Sequence, residues 1–299
     1  MTTASAVTTV IDGRAFLECP RWHQGRLWVS DLYAKEVLSL NVDGTDVRVE
    51  ATLDDQPSGL GWLPDGRLLI VSMVDGLLLV RDDADDPTSL SVHADVSSLA
   101  TGKLNDMVVD DAGHAFISTF GMEFRSRSYV ESAVLIHVAP DGAADVAAGD
   151  LLFPNGSVIF GSAADEVRTL VIAESMGNRL TAFDVDRSGG LSNRRVWAAF
   201  GPEVPRTSVR DAMAAAQVAP DGICAGADET IWVADALHQR VIRVAEGGQI
   251  VDEKAFPTGV FACALGGRDA DVLFGCAAES SSEHKRRDTR EASLLSIRL

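Results

Sequence analysis

Short apolar runs recur along the chain in pairs, each pair split by a tight polar turn. Residues 18–31 (ECPRWHQGRLWVSD), 58–72 (SGLGWLPDGRLLIVS), 105–118 (NDMVVDDAGHAFIS), 155–174 (NGSVIFGSAADEVRTLVIAE), 221–235 (DGICAGADETIWVAD) and 258–275 (TGVFACALGGRDADVLFG) share one plan. A small polar residue leads, an alternating run follows, a turn intervenes, and a second run is rich in Leu, Ile, Val, Trp and Phe. Turns such as Asp65-Gly66 and Ala112-Gly113 supply residues that tolerate positive φ between paired strands. Third runs follow most repeats, at Val37–Leu40, Val134–Val138, Leu180–Val185 and Val241–Val244, each ending at another turn. Helical periodicity is confined to Arg210–Val218, read as one short helix. A unit of about four short antiparallel strands, repeated in this way, predicts an all-β fold, a six-bladed β-propeller with four strands per blade. A β-sandwich would not repeat one motif so regularly, and a parallel β-helix would have shorter repeats. No linker or composition break divides residues 1–299, so one domain is expected. The strand-like segments 6–12 and 293–299 are expected to pair in the last blade and so to close the ring.

Composition narrows the function. The 299 residues are 46% hydrophobic and 23% charged, which is ordinary for a globular chain. The net charge is −18, which leaves no basic face for phosphate and argues against nucleic acid and anionic membrane surfaces as partners. No apolar run is long enough to span a bilayer, and the opening residues MTTASAVTTV lack the features of a signal peptide. A cytoplasmic protein, monomeric or weakly homo-oligomeric, is expected. The cysteines Cys19, Cys224, Cys263 and Cys276 form no CxxC pair and are read as free thiols. Cys19 and Cys224 are expected to pack between blades. His238 is expected on a surface loop.

Superposing the repeats identifies what lines the central channel. Trp22 aligns with Trp62 and fixes the register, so the leading residues are Glu18, Ser58, Asn105, Asn155, Asp221 and Thr258. All carry side-chain oxygen. Two carboxylates with no Lys or Arg at equivalent positions would repel each other, and a divalent cation with oxygen ligands resolves the conflict. The absence of His and Cys at these positions disfavours an imidazole or thiolate zinc site. The bland reading, polar strand ends hydrogen-bonding water in a channel, stays open.

The motifs LECPRW, GRLWVSD, GKLND, FPNG, LTAFDVDRSGGLSNRRV and PDGICAGADETIWVAD resemble the SMP-30/gluconolactonase/regucalcin family over about residues 15–265, with the sixth blade matching only in outline. The resemblance implies a propeller with one catalytic divalent cation that hydrolyses lactones of sugar acids or related cyclic esters. Carried over residue by residue, it implies Glu18, Asn155 and Asp221 as metal ligands, Asn105 as a substrate contact, and Glu123 as the acidic residue after the ND motif. The substrate-binding arginine of the family falls on Lys103. Lysine is a point charge without the planar fork that grips two oxygens, so this departure weakens the case for a sugar-acid substrate. Ca²⁺ is the first choice of metal, with Zn²⁺, Mn²⁺ and Mg²⁺ as alternatives.

The chemistry expected is hydrolysis of a small-molecule lactone or ester. Asp221 would act as general base as well as ligand, with Asn105 and Lys103 on the ester oxygens and Glu123 on a substrate hydroxyl or a water. Alternatives are a metal-dependent hydrolase of aryl esters or phosphotriesters, a non-catalytic calcium-binding or interaction propeller, and a lyase or isomerase of lactones. No GxSxG elbow is present, which removes the usual serine hydrolase. The long segments 119–132 and 201–219 are read as binding loops, with Phe120, Met122, Phe124 and Tyr33 as an apolar rim that favours a less hydroxylated lactone. The mixed-sign run EHKRRDTR at 283–290 reads as a solvated loop rather than a binding patch.

Overall fold

The computed structural model describes residues 6–123, 125–162 and 164–299. They form six four-stranded antiparallel sheets, the blades of a β-propeller. The innermost strands of the blades are Leu17–His23, Pro57–Trp62, Leu104–Val109, Pro154–Phe160, Pro220–Ala225 and Val260–Gly266. Each packs on the innermost strand of both neighbouring blades, and the sixth returns to the first, so the ring is closed. The short helix of the 201–219 segment spans Val209–Ala215, with Ser208 Oγ accepting the Asp211 N–H at its N-terminus at 3.1 Å.

Sequence pattern explains the blade. The second strands, such as Leu68–Ser72 and Ile231–Asp235, are buried throughout because both faces meet neighbouring blades. The outermost strands, such as Arg48–Thr52 and Ile250–Ala255, alternate towards solvent and carry polar residues. The hairpin turn at Asp65-Gly66 places Gly66 at φ +90°, which a residue without Cβ adopts freely, and Asp65 Oδ1 accepts the Arg67 N–H at 3.0 Å.

The core is divided by the same symmetry. Each of the six blade boundaries holds its own hydrophobic cluster; Leu60, Leu68 and Ile70 of blade 2, for example, pack on Trp28, Val37 and Ala51 of blade 1. Closure joins distant ends of the chain. Strand Thr8–Arg14 pairs with Ala292–Arg298 as the outermost strand of the sixth blade, as the sequence predicted, and covers what would be an open sheet edge. Among the described residues no helix is long and apolar enough to cross a membrane.

Candidate functional site

One hydrogen bond recurs in every blade and sets the register of the channel. The first N–H after each second strand (Leu32, Met73, Phe120, Ser175, Ala236 and Ala278) donates to the carbonyl just before the inner strand (Phe16, Gln56, Lys103, Phe153, Ala219 and Gly259), at 2.9–3.1 Å. Those six carbonyl-bearing residues form a rim ring. Two residues further on lies an inner ring: Glu18, Ser58, Asn105, Asn155, Asp221 and Phe261. Directly after it, all six inner strands carry one extra residue, a β-bulge, at the same place in the pairing. Bulges re-aim side chains, and here every blade uses the same one.

The register corrects the sequence reading in blade 6. Thr258 precedes the inner strand, and Val260 pairs with Ala277 where Pro57 pairs with Ser72, so the inner-ring residue is Phe261. The ring is polar in five blades and aromatic in the sixth.

The structure brings the six expected site residues, Glu18, Lys103, Asn105, Glu123, Asn155 and Asp221, to one cavity of about 720 Å³ at the mouth of the channel. Tyr33, Phe120 and Met122 also line it, whereas Phe124 lies outside the described residues. The two long loops zip together beside it, with Val130 N donating to Arg206 O at 3.0 Å and Val209 N to Ser128 O at 2.8 Å. Beneath them Met122, Phe153, Met176 and Val204 form a hydrophobic cluster that serves as one wall.

Hydrogen bonds hold the inner ring in place. Asn155 donates both amide hydrogens, one to Asp221 Oδ1 and one to Ser175 Oγ at 3.2 Å. Its Oδ1 is therefore left without a hydrogen-bond partner among the described residues. Ser175 Oγ in turn donates to Pro220 O at 2.7 Å, beside Asp221. Asn105 Nδ2 donates to Pro154 O at 3.2 Å, and Ser58 Oγ donates to Asn105 O at 2.8 Å. Glu18 Oε2 accepts the N–H of Cys19 at 3.3 Å. Cys19 has φ +52° and Phe153 φ +56°, left-handed conformations that cost a residue with a Cβ. Each adjoins or nearly adjoins an inner-ring residue.

The electrostatics of this ring are unfavourable for protein alone. Burial pushes the Glu18 carboxyl well above its ordinary range, and the charges of Asp221 and Asp106 push it further. Burial, then Asp106, pushes Asp221 up to about 8, against the lowering effect of the Asn155 hydrogen bond. The nearby Arg21 offers little relief, since it crosses the channel from blade 1 and spends its donors on Asp106 Oδ1 at 2.6 Å, Met107 O at 2.7 Å and Pro20 O at 3.0 Å. Two deep carboxylates, one free amide oxygen and no neutralising cation are the donor set that a hard divalent ion takes. Among the described residues no three His, Cys, Asp or Glu side chains gather to hold a metal ion.

Other expected site residues are placed less centrally. Lys103 lies on the rim ring, and its Nζ pairs with Glu283 Oε2 at 3.3 Å. Glu123 is exposed at the mouth and pairs with Arg125 at 3.0 Å. His238 stands half-exposed, its Nδ1 2.8 Å from Asp235 Oδ2. All four cysteines are free, and Cys19 Sγ touches Ser58 Oγ of the next blade at 3.7 Å.

Sequence reasoning missed two features. Arg21 and Asp106 form a charged pair below the inner ring; the signal was an acid at 106, where the neighbouring repeats carry Gly59 and Gly156. The 283–290 run is not merely solvated. It belongs to a strap, residues 278–291, between the second and third strands of blade 6, and Ser282, Glu283 and His284 line the cavity. Its charge composition masked this because Glu283 meets its partners only in three dimensions.

The fold and the site define a class: six-bladed propellers with an oxygen-rich pocket at one end of the channel. The profile of the SMP-30/Gluconolactonase/LRE-like region matches residues 16–279, and the chain belongs to that family. Regucalcin of Danio rerio is 27% identical over 189 residues, 62% of this chain and 58% of that protein, so the match spans little more than half of the relative's length. Among solved structures, a calcium-binding regucalcin from Agrobacterium tumefaciens superposes with a TM-score of 0.74 at 22% identity, over 98% of this chain and 94% of its own. A gluconolactonase from Xanthomonas campestris does so with a TM-score of 0.71 at 21% identity, over 99% and 90%. At these identities the structural likeness speaks for the fold.

Proposed function

We propose that the chain is a divalent-metal-dependent hydrolase of lactones. The observation that carries this reading is the meeting of Glu18, Asn155 and Asp221, from three separate blades, in one cavity, where the only nearby cation described, Arg21, is committed to Asp106. These three would hold the ion, with Ca²⁺ as first choice. Family membership supports the reaction class, since gluconolactonases are among the proteins for which the family is named.

A bound divalent ion would polarise the ester carbonyl as a Lewis acid and lower the pKa of water. The remaining work falls to the protein. Asn155 fixes Asp221 Oδ1 by hydrogen bond, so the carboxylate is held in one orientation. From that position Asp221 takes a proton from the attacking water and returns it to the alkoxide released when the ring C–O bond breaks, giving a hydroxy acid. Asn105 spends one amide hydrogen on Pro154 O and has the other for the developing oxyanion. Lys103 is engaged by Glu283, so Asn105 is the better placed donor. Glu123, at the mouth, is a peripheral contact.

The test is a panel of lactones, aryl esters and phosphotriesters, run on protein stripped with EDTA and reloaded with single metals. Turnover of lactones that vanishes with EDTA and returns with metal is expected. Turnover confined to aryl esters or phosphotriesters would move the reaction to another ester class. Tight metal binding with no turnover would leave a cation-binding propeller.

A further inference from the structure

We propose that this site takes an uncharged lactone or ester bearing an apolar substituent, and that Glu283 of the strap sets the preference by withdrawing both polar side chains of the rim. This rests on the hydrolase reading above and specifies its substrate class.

The rim ring is Phe16, Gln56, Lys103, Phe153, Ala219 and Gly259, and only Gln56 and Lys103 have polar side chains. Both are bound to the same carboxylate. Gln56 Nε2 donates to Glu283 Oε1 at 3.4 Å, and Lys103 Nζ donates to Glu283 Oε2 at 3.3 Å. Arg287 Nη2 donates to Glu283 Oε1 from within the strap. Three donors from three segments hold the carboxylate, and Arg287 and Lys103 keep it below its usual range despite the opposing effect of burial. The strap's own polar atoms are partly engaged as well, since Ser280 Oγ accepts the Ser282 N–H at 3.2 Å. Outside the rim, Glu123 and Arg125 form an exposed ion pair at 3.0 Å.

On the rim and the walls beside it a substituent meets Phe16, Phe153, Tyr33, Met73, Phe120 and Phe261, while Ser281, Ser282 and His284 line the cavity on the strap side. Phe16 lies 5.3 Å from Phe261 between ring centroids, and Phe120 lies 4.6 Å from Phe153. The Phe120–Phe153 pair packs with Met122 and Met176, and the Phe16–Phe261 pair with Leu32 and Met73; Phe120 packs against both clusters. The inner ring therefore holds the reacting ester, while the rim side of the outer wall is apolar and the strap side carries the remaining polar groups. A polyhydroxylated substituent would set its hydroxyls against these rings, and each unpaired hydroxyl weakens binding. A site discriminates strongly when polar groups are left unmatched.

The experiment compares an alkyl-substituted γ-lactone with glucono-δ-lactone on metal-loaded wild type and Glu283→Gln. It is paired with calorimetric binding of the two corresponding hydroxy acids. Wild type is expected to favour the alkyl lactone in kcat/KM by at least about tenfold, and Glu283→Gln to narrow that ratio by about tenfold as Gln56 and Lys103 are released. A wild-type preference for glucono-δ-lactone, or an unmoved ratio in a folded Glu283→Gln, overturns the proposal. If neither lactone is hydrolysed, the hydrolase reading fails, but calorimetry still decides here: tighter binding of the alkyl hydroxy acid supports the apolar wall, and tighter gluconate refutes it. Should Glu283→Gln fail to fold, Lys103→Gln releases the same contact from the rim side, with the same narrowing expected.

Discussion

The side chain of Asn155 donates a hydrogen bond to Asp221 Oδ1 across a blade boundary, between residues 66 apart in sequence. The contact orients one of two like-charged carboxylates and turns the amide oxygen free. Removing the charge at 221 should therefore have opposite effects in the two states. Without metal, Asp221→Asn relieves repulsion with Glu18 and should raise the melting temperature. With excess Ca²⁺, wild type should gain about 2.7 kcal/mol at a hundredfold excess over Kd, and the variant should gain little. Hydrolysis by the variant should fall at least about a hundredfold. Thermal unfolding with EDTA and with Ca²⁺, alongside a lactone assay, checks all three; an equal metal response in the variant would remove Asp221 from the ligand set.

Arg21 and Asp106 join blade 1 to blade 3 below the site. Asp106 is 3% exposed, so Arg21→Met strands a buried carboxylate. Breaking such a pair costs about 3–5 kcal/mol, and the lower end applies because Arg21 retains some contact with solvent. The double variant Arg21→Met/Asp106→Asn should recover most of the loss, because no unpaired charge remains. Urea unfolding of the full double-mutant cycle measures this. Equal stability of the single and double variants would show that Asp106 is satisfied without Arg21.

Backbone proximity between blades 4 and 5 makes Gly156 indispensable. A Cβ there would lie 2.5 Å from Ile223 N and 2.9 Å from Asp221 O, so the adjacent inner strands would have to part. Gly156→Ala should cost about 1–3 kcal/mol and should also weaken metal binding, since Asn155 and Asp221 sit on the two strands concerned. Stability loss without a change in metal affinity would contradict the second half of this expectation.

A pH-sensitive contribution to stability lies away from the site. His137 Nε2 is 2.9 Å from His114 Nδ1, and burial followed by the neighbouring His114 lowers the His137 pKa, against raising contributions from Asp145, Asp110 and Asp186. The folded state therefore binds a proton on His137 less readily than the unfolded chain. Stability is full above the ordinary histidine value of about 6.5 and is lost as pH falls through the window below it. His137→Gln should flatten the melting profile as pH falls below about 6.5. An unchanged slope would assign the acid sensitivity to other groups.

The architecture was legible in the sequence because one hairpin plan recurs with hydrophobic strands and polar turns, and the closing pair at the two ends carried strand periodicity. Five inner-ring residues were legible for the same reason, since Trp22 and Trp62 anchor a common register. Blade 6 was misread because Thr258 is polar and lies near the ring position, while Phe261 broke the expected chemistry; only the pairing of Val260 with Ala277 settles it. Lys103 and Glu283 are 180 residues apart, and nothing local to either reveals the other. The strap was hidden by composition: mixed charges normally face water, and these do so only in part. Arg21 and Asp106 escaped notice because each is a single charge in a strand otherwise read for its apolar pattern.

The bulge common to all six inner strands turns the channel mouth into a set of equivalent sockets. Each presents a single side chain with the same aim, and whatever fills one leaves the pairing behind it intact. Phe261 marks the one socket among the six without a side-chain oxygen, at a place where the backbone already matches that of the five polar ones.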